Sequence, residues 1–166
     1  ADEFACVTNL TDAGYQGMAD TCEDDGANKD DDEQPALTAS TAVMPAQLAG
    51  ANSGFVRDDA VLFVVAITDE DEEFLGTNAD LIAQAFIDAK GGNIDNVVFL
   101  GVAGASPCLG PYGTAIPAPN MQAVAAQFEA ADRGVFWDLC AGDLEGAFAA
   151  GIDALDSACD EFVPEG

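Results

Sequence analysis

Three apolar runs stand out along the chain. The first is Val61-Leu62-Phe63-Val64-Val65-Ala66-Ile67, which stops abruptly at Thr68-Asp69-Glu70-Asp71-Glu72-Glu73; the second is Val97-Val98-Phe99-Leu100-Gly101-Val102, and the third Gly134-Val135-Phe136-Trp137-Asp138-Leu139. Runs of this length without apolar/polar alternation predict strands buried on both faces, as in the middle of a parallel sheet. Between them the period changes to that of a helix. The span 78–90 places Leu81, Ile82, Ala85, Phe86 and Ala89 inward and stops at Gly91-Gly92, and 120–131 repeats the spacing through Met121, Val124, Ala125 and Phe128. A last helix over 143–159 carries Leu144, Phe148, Ile152, Leu155 and Cys159 on one stripe. Ahead of the first strand, Asp32 and Glu33 followed by Pro35 read as a helix start, with Leu37, Met44 and Leu48 on one face and Pro45 ending or kinking it.

Helix, strand, helix, strand, helix, strand, helix is βαβ order. It predicts an α/β fold: a Rossmann-like parallel sheet with right-handed crossovers and helices on both faces. Three strands are few for such a sheet. A strand as apolar as 61–67 is expected at its centre, yet the short segment 4–8 is the one further candidate neighbour. An exposed apolar edge recruits another strand or aggregates, so the sheet is expected to be completed by a second polypeptide, such as the N-terminal half of the same precursor.

Charge narrows the function. Against 31 Asp and Glu stand four Lys and Arg, a net charge of −27, with no histidine. Phosphate backbones and anionic membrane surfaces both require a basic face, so nucleic acid and anionic membrane surfaces are excluded as partners. Without histidine, Ser-His-Asp, Cys-His and His-zinc chemistries cannot be assembled from this chain, and a carboxylate-metal hydrolase lacks a second ligand cluster and a positioned base. No run of about 18 apolar residues predicts a membrane span. No secretory leader is evident either, so in an exported protein Ala1 would be a processed end.

The 49% apolar content suffices for one core. We divide the chain into an acidic, disulfide-containing N-terminal loop region, 1–34, and an α/β core, 35–166. The five cysteines show no CxxC spacing and suit disulfides in an oxidising compartment. Cys6 and Cys22 bracket the acidic loop and are expected to pair locally. Cys108 follows the second strand and Cys140 ends the third, at the same edge of neighbouring strands, so these two can pair. Cys159 lies one long helix from Cys140, about 28 Å at ~1.5 Å per residue, and is the odd thiol: free, bonded to another chain, or simply buried.

The segment Asn52-Ser53-Gly54-Phe55-Val56-Arg57-Asp58-Asp59-Ala60, the strand after it and its terminator Ile67-Thr68-Asp69-Glu70-Asp71 resemble a von Willebrand factor A (vWA) domain of secreted bacterial surface proteins. The helix start Glu33-Gln34-Pro35-Ala36-Leu37, the strand at 97–102, Cys140 and the final Cys159-Asp160-Glu161-Phe162-Val163-Pro164 follow in the family's order, over roughly residues 30–164. The resemblance implies an extracellular protein-binding or adhesion module, with Mg²⁺ or Ca²⁺ at the carboxyl ends of the strands in a metal-dependent adhesion site and Asp69 at the family's late aspartate position. Asp71, Asp31 and Glu33, in the two acidic loops, are the further candidate ligands, being hard oxygen donors suited to such ions. Acidic loops are equally what a solvated face requires. The family's Asp-x-Ser-x-Ser strand is absent from this chain, and Asp31-Asp32-Glu33 stands where a threonine is expected. The alternative is a structural subunit of an extracellular assembly, its sheet filled by another chain and its metal site altered or lost.

Overall fold

The computed structural model describes residues 33–72, 74, 76–110 and 113–163. The segment 4–8, Asp31 and the expected Cys6–Cys22 pair lie outside the described residues.

Helix α1 (Pro35–Ala42) begins on a proline, whose fixed φ and missing N–H suit a first turn. Pro45 cannot donate the next ladder hydrogen bond, and the chain breaks there as expected: α1 ends at Ala42 and a one-turn α2 (Pro45–Leu48) carries Leu48. Met44, in the break, is exposed instead of sharing a face with Leu37. There follow β1 (Leu62–Ile67), α3 (Ala79–Ala89), β2 (Val97–Ala103), a short hairpin of β3 (Cys108–Gly110) and β4 (Gly113–Ala115), α4 (Pro119–Glu129), β5 (Gly134–Asp138) and α5 (Leu144–Glu161). Asn78 caps α3, its side chain accepting from Leu81 N–H, and Asp143 caps α5 by accepting from Gly146 N–H.

The main sheet has three parallel strands in the order β1-β2-β5, with Val65 beside Leu100 and Val102 beside Trp137. The fold is thus mixed α/β, a parallel sheet flanked by helices. Its middle strand is β2, buried throughout. β1, expected at the centre, is an edge strand: among the described residues it pairs with β2 alone.

The two faces of the sheet are covered unequally. On one, Val64, Ala66, Val97 and Phe99 pack under α1, α3 and α4. Phe99 stacks on Phe128 at 5.7 Å and meets Phe86 tilted at 6.2 Å, ring centre to ring centre, and each such buried ring contributes roughly 1.5–3 kcal/mol by leaving water. Leu81, read as inward, is instead 57% exposed, while Ile82, Ala83 and Phe86 turn to the sheet.

Among the described residues the other face carries α5 alone. Leu100, Val102, Phe63, Val135 and Trp137 meet it through Ala147. A side chain added at Gly151 would sit 2.9 Å from Leu100 and 3.1 Å from Phe63, so the helix lies as close as a missing side chain permits. The large apolar stripe read from the sequence is therefore not the packed stripe. Ala147, Gly151 and Ala158 face the sheet, whereas Phe148 and Ile152 are left 39% and 49% exposed.

Two of the four cations are consumed inside the fold. Arg133 is buried, donating to the carbonyls of Asp95 (3.1 Å) and Asp132 (3.3 Å) and to the Glu161 carboxylate (2.6 Å), which ties the end of α5 to the foot of the sheet. The ammonium of buried Lys90 donates to Arg57 O at 2.5 Å, and burial lowers its pKa against the pull of Asp58 and Asp59. Among the described residues Arg57 is the one exposed cation, 3.6 Å from Asp59.

Candidate functional site

The acidic turn after β1 lies at the carboxyl ends of the parallel strands, where open α/β sheets bind ligands. Its side chains are engaged in a particular way. α1 and α4 both start on proline, behind Gln34 and Ala118, neither of which caps with its side chain. The orphan N–H groups of those first turns need acceptors from elsewhere, and Asp71 and Glu72 supply them.

Glu72 is wholly buried, and its two carboxylate oxygens accept from Ala36 N–H and Leu37 N–H, each at 2.9 Å. Asp71 Oδ1 accepts from Asn120 N–H at 2.9 Å and from Met121 N–H at 3.3 Å, and also from Glu72 N–H at 2.9 Å. Asn120 returns a bond from its side-chain amide to Glu72 O at 2.9 Å. One turn thus clamps the positive ends of two helices, a placement that the helix dipole favours. Burial raises the Glu72 pKa, the two helix N–H groups lower it, and the neighbouring Asp71 charge raises it again.

Thr68 is buried at the end of β1, its hydroxyl donating to the Glu33 carboxylate and accepting from Glu70 N–H at 3.0 Å. Asp69 is exposed, and its carbonyl accepts from Ile116 N–H at 2.9 Å, just after the β3–β4 hairpin. That hairpin is held close. A Cβ on Gly104 would fall 2.2 Å from Ile116 O, so only glycine fits there. Asp138, ending β5, accepts from Ala105 N–H and Cys140 N–H, both at 3.0 Å. Cys108 and Cys140 are disulfide-bonded, their Cα atoms 5.9 Å apart, which pins the hairpin to the end of β5. Cys159 is a free, exposed thiol.

Of the four positions read as metal ligands, Asp31 lies outside the described residues and the other three are not gathered on one point. Glu33 binds Thr68, Asp71 caps α4 and Asp69 faces solvent. Among the described residues no group of three or more Cys, Asp or Glu side chains converges as metal ligands would. The roles of Asp71 and Glu72 escaped the sequence reading, though a signal was present: two proline-led helices without caps, and one acidic turn with carboxylates to spare.

A second feature lies at the sheet edge. Val65 and Ile67 of β1 are 37% and 44% exposed. Beside Ile67, a groove of about 510 Å³ is lined by Pro35, Thr38, Ala39 and Ala42 of α1 together with Glu33 and Gln34. The helix thereby lines the outer edge of β1 with small side chains. Among the described residues no helix is long and apolar enough to cross a membrane. Comparison with protein-family models, with curated proteins and with solved structures returns no match to this chain.

Proposed function

We propose that this chain is a secreted or cell-surface, vWA-like protein-binding module that performs no bond-making chemistry, and that another polypeptide completes its sheet along the outer edge of β1. The observation that carries the reading is the position of the most apolar strand at an edge, with Val65 and Ile67 exposed. Edge strands left unprotected are templates for pairing, and natural proteins blunt them with lysine, proline or bulges. Leu62-Phe63-Val64-Val65-Ala66-Ile67 contains none of these. The disulfide agrees with an oxidising compartment. The test uses a peptide of about nine alternating Val, Ile and Thr residues, the length of an ordinary strand, flanked by lysines. It should bind the chain, and a version with proline at every second position, unable to form main-chain bonds, should not. Equal binding of the two peptides would sink the reading.

A second reading gives the strand ends to a divalent ion, and the exposed Asp69 at the carboxyl end of β1 favours it. Here Mg²⁺ or Ca²⁺ rests on Asp69 and a partner or companion polypeptide completes the coordination. Titration calorimetry with MgCl₂ or CaCl₂ alone should then show binding that Asp69→Asn removes. Chelation separates this adhesion module from a structural subunit of an extracellular assembly: in EDTA the former loses its partner and the latter remains assembled.

A further inference from the structure

Resting on the reading of β1 as a docking edge, we infer that the partner contributes a strand together with a helix, and that this helix has an apolar face and a basic polar face. The two sides of the vacant strand position are unlike. On the α1 side a cover already exists, because Thr38, Ala39 and Ala42 overhang the edge and leave room beneath them. A strand docked at β1 would have that face shielded on arrival.

Among the described residues the opposite side has no such cover. α5 runs antiparallel to the strands: Gly146, near its start, faces Trp137 at the top of β5, and Glu161, at its end, reaches Arg133 at the foot. Gly146 marks the flank turned toward β5. Phe148, two residues on, lies about 200° round the helix at ~100° per residue, on the flank turned toward β1, and Ile152 is one turn further along it. Phe148 and Ile152 of α5 therefore border the same uncovered space as Val65 and Ile67 of β1, and all four are more than a third exposed. A strand alone leaves this side open to water. A helix laid over it buries all four side chains and gives the second face of the sheet the cover that α3 and α4 give the first.

Charge selects the partner's polar face. Asp58 and Asp59 stand before β1, Asp69 and Glu70 after it, and Asp156, about one turn beyond Ile152 on the same flank of α5, is exposed. Arg57 is the one exposed cation among the described residues. A second copy of this chain would bring another −27 to the contact, whereas a lysine-bearing helix is attracted to the same rim.

Two probes test the inference on the full chain: the lysine-flanked strand peptide, and the same peptide extended through a short loop into a Leu/Lys amphipathic helix. The extended probe should bind about tenfold tighter or more, the added affinity coming from apolar burial. Phe148→Glu and Ile152→Glu should abolish that gain and leave the affinity for the strand peptide unchanged. Both side chains are exposed, so circular dichroism should show the fold retained, and Ile152→Ala should give a smaller loss in the same direction. If the extended probe binds no tighter, or its gain survives Ile152→Glu, the helix inference is wrong while the docking edge stands. If neither probe binds, the edge reading fails as well. A dimer of the chain in sedimentation equilibrium, dissociated by Ile152→Glu, would assign the face to a second copy and overturn the inference.

Discussion

Replacing Glu72 two ways separates the worth of its shape from the worth of its charge. In Glu72→Ala the N–H groups of Ala36 and Leu37, each 2.9 Å from a carboxylate oxygen in the native protein, lose their acceptor in a site closed to water. A buried donor left unpaired costs about 1–3 kcal/mol, so two of them, with a small cavity, should cost about 3 kcal/mol or more. For a domain of this size that lowers Tm by roughly 10 °C. Glu72→Gln keeps the volume and one acceptor oxygen and removes the charge. Because burial outweighs the two N–H bonds and raises the Glu72 pKa, losing the charge offsets part of the cost of the one helix N–H that glutamine leaves without an acceptor, and the glutamine variant should lie between wild type and the alanine variant, about 1–2 kcal/mol below wild type. The pH dependence follows with a definite sign. With the folded pKa above the unfolded one, the folded state binds the proton first, so wild type gains stability relative to Glu72→Gln as pH falls through the folded pKa toward the ordinary carboxylate value of 4.5. Urea denaturation of the three proteins at pH 7 and pH 5 measures all of this. An alanine variant as stable as wild type, or a glutamine variant as damaged as the alanine one, would refute the helix-clamp account.

Other substitutions probe the remaining supports. Arg133→Ala should cost about 3 kcal/mol, since the carbonyls of Asp95 and Asp132 lose a buried donor, whereas Glu161→Gln should cost well under 1 kcal/mol because that carboxylate is 66% exposed and screened; urea midpoints decide. Serine at both Cys108 and Cys140 should lower stability by roughly 3–4 kcal/mol, the loop-closure value for a sequence separation of 32, measured by calorimetry against the oxidised parent. Gly104→Ala should displace the hairpin, with amide shifts at Ile116 and Ala118 in NMR spectra, because its Cβ has no room beside Ile116 O. Cys159 should react with a maleimide in the native state at the rate of a solvent-exposed thiol, which mass spectrometry follows.

The elements were legible where the period was strong and local. All three parallel strands and the helices α3, α4 and α5 fall within a few residues of where hydrophobic spacing and the Gly91-Gly92 stop place them. Side-chain direction was less legible, and α5 shows why. Spacing identifies a stripe of large apolar residues, but a helix resting on a flat sheet approaches most closely through small ones, so Ala147 and Gly151 took the contact and Phe148 and Ile152 were displaced to the flank. The run 61–67 misled in a related way. Its apolarity signals burial without saying what buries it, and among the described residues β1 occupies an edge with one side under α1 and α3 and the other covered by α5 only at Phe63, leaving Val65 and Ile67 exposed. The acidic turn was legible as a place and not as a structure. Carboxylates one residue apart in sequence, Asp71 and Glu72, serve helices at residues 120 and 36, and separations of that length leave no periodic trace. The short β3–β4 hairpin, three residues a strand, is too brief for alternation to register.

The central claim, that the outer edge of β1 is an unfilled strand position, is tested most directly by amide hydrogen exchange over Leu62–Ile67 in the full chain alone and with the lysine-flanked strand peptide. The account predicts that, in the free chain, alternate β1 amides exchange far faster than those of Val97–Ala103, and that the peptide slows them by about a hundredfold or more, the protection that new ladder hydrogen bonds confer. Protection of every β1 amide to the level of β2 before any peptide is added would contradict it.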